Sequence, residues 1–124
     1  MSETPENTPR RSRSRRGERM TRIIYEPGEY TVTLIGHADY AEPGKDVVCA
    51  GITALTEAML QRVKGRRIFQ PAYGVHRKKA IVHVHLTPRT KYAAEMAREM
   101  LSTVCAGYRE IARLYPDYVK FEER

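Results

Sequence analysis

The strongest constraint on the fold is the spacing of apolar residues after Asp46. Val48, Ile52, Leu55, Met59 and Val63 recur every three or four positions, a spacing that an α-helix lays along one face. Asp46 stands where the N-cap of such a helix belongs, and Gly65 follows where a left-handed residue ends one. A helix from about Asp46 to Lys64 is therefore predicted, with Cys49 in its first turn.

The flanking segments read as strands. Thr21 to His37 holds two apolar runs around Glu26-Pro27-Gly28-Glu29, a turn that folds the first strand back on Tyr30-Thr31-Val32-Thr33-Leu34-Ile35; Gly36 ends the second. Ile68 to Val75 and Ala80 to Leu86 form a second hairpin around His76-Arg77-Lys78-Lys79, and Pro71 demotes its first half to an edge or broken strand. Thr87-Pro88 suits a helix start, with Thr87 as cap, and Met96, Met100, Val104, Ile111 and Leu114 mark a stripe that runs until Pro116. Tyr118 to Phe121 reads either as a short fifth strand or as a packed tail.

The order strand, strand, helix, strand, strand, helix implies an α+β fold: two layers, a mostly antiparallel four-stranded sheet with both long helices on one face, and room for a short C-terminal fifth strand. With 124 residues the chain supports one core, placed at residues 20–124 as a single domain. Met1 to Arg19 is nearly free of apolar residues and carries six arginines against three glutamates, so three of the chain's seven net positive charges lie there. Such a tail cannot bury enough surface to fold and is expected to be disordered. It suits RNA phosphates, though a solubilising extension ahead of a start at Met20 accounts for it equally well.

No run of eighteen apolar residues and no basic start followed by a short apolar stretch is present, so a cytoplasmic protein is expected, with no membrane partner. That compartment keeps the two cysteines, Cys49 and Cys105, reduced.

The chemistry gathers where a histidine closes an apolar strand and a cysteine opens an apolar helix. A first-turn thiol is drawn toward its nucleophilic thiolate by unpaired N–H groups and the helix dipole. An imidazole from His37 would take the thiol proton and later return it to a leaving group. The loop from Ala38 to Lys45, with Pro43 and Gly44, suits a surface turn able to cover a substrate. The bland account is a buried structural cysteine beside a structural histidine. Asp46 admits two roles: a helix cap, which is favoured, or a third catalytic member that orients the imidazolium. His83 and His85 share a strand face, but zinc asks for three or four ligands and no further ligand pattern accompanies them, so neither a metal nor another cofactor is expected. Cys105, inside the second helix, reads as a small packed residue.

Gly36-His37-Ala38 followed by Gly44-Lys45-Asp46-Val47-Val48-Cys49-Ala50 resembles the hallmark of the ribosomal-processing cysteine protease (Prp) family, with the family's histidine-to-cysteine spacing. The resemblance spans about Met20 to Phe121. It implies a Cys-His dyad hydrolase, Cys49 as nucleophile and His37 as base, that removes the N-terminal extension of large-subunit ribosomal protein twenty-seven during ribosome assembly. Family members cut beside paired aromatic residues, which implies an apolar groove near Cys49, and they suggest a homodimer. Where the family often places a serine one helical turn after the cysteine, this chain has Thr53. Ala50 enters as a neighbour whose backbone N–H, with that of Cys49, would stabilise an oxyanion at the helix start.

Two rival readings accompany this one. A ribosome-associated RNA-binding module without peptidase activity would use the Arg-rich tail, Arg66, Arg67, Arg77, Lys78 and Lys79. A thiol redox sensor on Cys49 would need Cys105 as its resolving partner.

Overall fold

Two β-hairpins meet along one strand each and carry two long helices on the same side. The computed structural model describes residues 20–36, 43–69, 72–76 and 81–124. Its elements are β1 (Thr21–Glu26), β2 (Thr31–Ile35), α1 (Pro43–Val63), β3 (Ala72–His76), β4 (Ile81–His85), α2 (Lys91–Leu114) and β5 (Val119–Glu123), with a 3-10 turn at Pro27–Glu29. The strands lie in the order β3-β4-β2-β1-β5. Every neighbouring pair is antiparallel except β1 with β5.

Register explains the layers. Ile23 lies opposite Leu34, Tyr25 opposite Val32, and Val32 opposite Val84, so strand alternation delivers these side chains to one face. Helix α1 sets Val48, Ile52, Met59 and Val63 against that face, and α2 adds Ala97, Leu101, Val104, Cys105 and Tyr108. The result is the expected α+β two-layer plan with both helices on one side of a mostly antiparallel sheet. The C-terminal segment does form a fifth strand, and α2 is the crossover that returns it parallel to β1. β3 is an edge strand, as Pro71 required, although it begins at Ala72 rather than Ile68.

Three further boundaries differ from the sequence reading. Helix α1 starts at Pro43, not Asp46; proline needs no N–H at the first helical position and its fixed φ suits it. Asp46 is then the fourth residue of the helix rather than its cap. Helix α2 is capped by Thr90, not Thr87: the Thr90 backbone is extended and its hydroxyl accepts from the Ala93 N–H at 3.0 Å. Strand β2 starts at Thr31, because Tyr30 takes a left-handed conformation (φ 54°) that closes the turn, its N–H donating to the Pro27 carbonyl at 3.2 Å.

The buried face of α2 also departs from the methionine stripe. Ala93, Ala97, Leu101, Val104, Cys105 and Tyr108 face inward, Met96 and Met100 are half-buried at its flank, and Leu114 is 55% exposed. Small alanines face the core most directly, and Met96 and Met100 pack against its margin, partly buried.

Candidate active site

Gly36 ends β2 with φ +121°, and a Cβ there would stand 2.7 Å from the Met20 carbonyl oxygen. Only glycine permits both the conformation and the approach of the two chain segments. His37, the next residue in sequence, lies with 38–42 outside the described residues, and so does the Arg-rich tail at 1–19.

Cys49 is the seventh residue of α1, and its side chain is half-buried. This corrects the first-turn placement. A helix that begins at Pro43 engages the N–H groups of Cys49 and Ala50 with carbonyls four residues back, so these two are not the unpaired donors expected for an oxyanion. The field of the helix end also fades beyond the first turn. The helix end is therefore a weak source of thiolate stabilisation at this position. Thr53, one turn further along, shares the Cys49 side of the helix and is exposed, as is Ala50.

Cys105 behaves in the opposite way. It is 1% exposed on α2, and burial pushes its thiol up to about 12, Arg109 offsetting only part of this and Glu123 adding to it. A thiol of that kind is protonated and inaccessible at neutral pH. It cannot serve as a resolving partner without opening the core, which removes the basis of the redox-sensor reading.

The two strand histidines do share the helix-free face, and each has a partner that the sequence did not reveal. His83 Nδ1 lies 2.9 Å from Thr33 Oγ1, and His85 Nδ1 lies 2.9 Å from Thr31 Oγ1. The Thr31 hydroxyl donates to the Glu29 carbonyl at 2.9 Å. It must then accept from His85 Nδ1–H, which sets the tautomer of that ring. The cross-strand register of Thr31 with His85 and Thr33 with His83 was the missing information. Among the described residues no three His, Cys, Asp or Glu side chains gather as a metal site.

Behind Cys49 the two helices are tied by a buried pair of hydroxyls. Tyr108 Oη and Thr56 Oγ1 are 2.6 Å apart, and Thr56 Oγ1 donates to the Ile52 carbonyl at 2.8 Å. Because that hydrogen is used, Tyr108 is the donor. Arg66 is half-exposed and Arg67 exposed at the end of α1, while Arg77, Lys78 and Lys79 lie outside the described residues. A cleft of about 550 Å³ opens on the other side of α2, lined by Arg109, Ala112, Pro116, Val119 and Phe121 among others, and does not include Cys49. No described helix is long and apolar enough to cross a membrane.

Comparison with known proteins places these features in a family. The family described as cysteine protease Prp matches residues 21–120 of the chain. No curated protein matches the sequence significantly. Among solved structures, the chain is similar to the essential ribosomal processing protease Prp from S. aureus in complex with a substrate peptide: TM-score 0.68, 19% identity, covering 85% of this chain and 100% of that one. The same protease with a covalently linked product peptide gives TM-score 0.69 and 21% identity, with the same coverage. SMU.848 from Streptococcus mutans gives TM-score 0.71 and 20% identity, covering 88% of this chain and 97% of that one. At these identities the structural likenesses establish the fold.

Proposed function

The chain belongs to the cysteine protease Prp family, and from that premise we propose that it is an endopeptidase in which Cys49 is the nucleophile and His37 the general base and acid. The Cys49 thiolate attacks the scissile carbonyl carbon, forming a thioester as the C–N bond breaks. The His37 imidazolium gives its proton to the departing amine. Water, deprotonated by His37, then hydrolyses the thioester and frees the thiol.

The observation that carries this reading is the family match across residues 21–120, which includes both Gly36-His37-Ala38 and the segment from Gly44 to Ala50. The contrast between the two thiols supports it: Cys49 is half-buried on α1, whereas Cys105 is sealed in the core. With its cap role gone, Asp46 is assigned to orienting the His37 imidazolium; three residues separate it from Cys49 on one continuous helix, a spacing that keeps the two positions on one side. Ala50 and Thr53 belong to the exposed surface that a peptide would cross beside the thiol.

The substrate we assign is the N-terminal extension of large-subunit ribosomal protein twenty-seven, cut beside paired aromatic residues. The likeness to a ribosomal processing protease that holds substrate and product peptides supports a peptide of ribosomal origin. Residues 20–124 form the single catalytic domain, the working form is a cytoplasmic homodimer, and the tail contacts ribosomal RNA. Purified protein incubated with a peptide carrying the extension is analysed by mass spectrometry. Cutting at one bond by the native chain, and none by Cys49→Ala or His37→Ala, is expected; cutting by Cys49→Ala removes the assignment.

The arginine-rich tail favours a second reading, an RNA-binding module. It predicts RNA affinity that falls steeply with salt, is lost on deleting residues 1–19 and is indifferent to Cys49→Ala.

A further inference from the structure

Helices α1 and α2 run antiparallel and approach each other through a reciprocal pair of glycines. A Cβ on Gly51 would stand 3.2 Å from Cδ1 of Ile111, and a Cβ on Gly107 would stand 2.8 Å from Cδ1 and 3.1 Å from Cδ2 of Leu55. Each helix thus offers a glycine and, four residues later, the branched side chain that fills the other's gap: Gly51 and Leu55 on α1, Gly107 and Ile111 on α2. Glycine inside a helix is unfavourable relative to alanine. What it provides here is closeness, since a methyl group at either contact would force the facing Ile111 or Leu55 side chain to give way or the helices to part.

Helix α2 is anchored to the sheet by Ala93, Ala97, Leu101, Val104, Cys105 and Tyr108. Extra bulk at position 51 is taken up either by a few tenths of an ångström of give at the half-buried tip of Ile111 or by a shift of the N-terminal half of α1, and only the shift moves Cys49. Cys49 lies two residues before Gly51, about 200° round the helix from it. A displacement of α1 away from α2 carries Cys49 along the same line.

We propose that Gly51 and its contact Ile111 are positioning residues for Cys49: the missing Cβ lets α1 sit close to α2 and so fixes the turn that carries the thiol. The inference rests on the peptidase reading for its effect on turnover, but the placement of the thiol can be read without it. Attack geometry is sensitive to shifts below 1 Å, and a methyl at 3.2 Å demands a few tenths of that.

The test is a cycle of G51A, I111V and the double variant. I111V removes Cδ1, the one atom that a new Cβ at Gly51 would meet. Expected for G51A are a melting temperature equal to or above the native one, a kcat lowered about three- to tenfold with KM little changed, and slower alkylation of Cys49 by iodoacetamide across the pH range. Buried Cys105 does not confuse the alkylation signal. In the double variant, kcat and alkylation rate return to those of I111V alone. Native values in G51A, or the same loss with and without I111V, overturn the proposal. If the native chain cleaves no ribosomal peptide, the peptidase reading fails, while the alkylation cycle still decides whether Gly51 places the thiol.

Discussion

The hydroxyl pair between the helices offers a test whose magnitudes follow from who donates to whom. Tyr108 is fully buried and donates to Thr56 Oγ1, which itself donates to the Ile52 carbonyl. Tyr108→Phe deletes one hydrogen bond but orphans no donor, so it should cost about 1 kcal/mol. Thr56→Val leaves the Tyr108 hydroxyl buried with nothing to donate to, and should cost about 2 kcal/mol. The double variant removes both partners and should cost less than Thr56→Val alone. Urea unfolding followed by circular dichroism measures all three. Additive losses, or a larger loss for Tyr108→Phe than for Thr56→Val, would refute the assignment of donor and acceptor.

The same pair has a pH signature. Burial pushes the Tyr108 hydroxyl from 10.0 up to about 12. The folded state thus favours the neutral phenol. Its contribution is complete below pH 10 and is lost as pH rises toward 12, at up to about 1.4 kcal/mol per pH unit. The stability advantage of the native chain over Tyr108→Phe should therefore shrink across that window and stay constant below it.

In native buffer one thiol should react quickly with a colorimetric disulfide reagent and a second only in denaturant; two fast thiols would contradict the burial of Cys105. Gly36→Ala meets both a positive φ and the Met20 carbonyl, and should destabilise by about 2 kcal/mol or more, seen as a lower urea midpoint. Asp46→Asn should lower kcat while leaving the melting temperature near native, because Asp46 is the fourth residue of α1 and not the position before its start; a loss of stability without a loss of kcat would return it to a structural role.

The fold was legible wherever periodicity spoke. Val48, Ile52, Leu55, Met59 and Val63 on α1 were placed on one apolar face from spacing alone; all are buried except Leu55, which is partly so. Boundaries were not. Thr87 and Thr90 offer the same oxygen to a helix start, and sequence has no means of weighing them; the hydrogen bond to Ala93 chose Thr90. Asp46 resembles a cap as strongly as any residue in the chain, yet Pro43 had already opened the helix. The stripe on α2 was read in part: Val104 is buried and Met96, Met100 and Ile111 pack against the core, but Leu114 is exposed, and the alanines that face inward carry too little hydrophobicity to be picked out.

By itself, the sequence determined the order of elements, the amphipathic helices, the glycine breaks and the local motif that carries His37 and Cys49, because these are short-range properties of neighbouring residues. Only the tertiary structure decided that the C-terminal strand returns parallel to β1, that Thr31 and Thr33 hold the strand histidines, and that Gly51 and Gly107 bring two helices into contact. Those depend on residues tens of positions apart arriving at one place, and no local preference encodes where a distant side chain will stop.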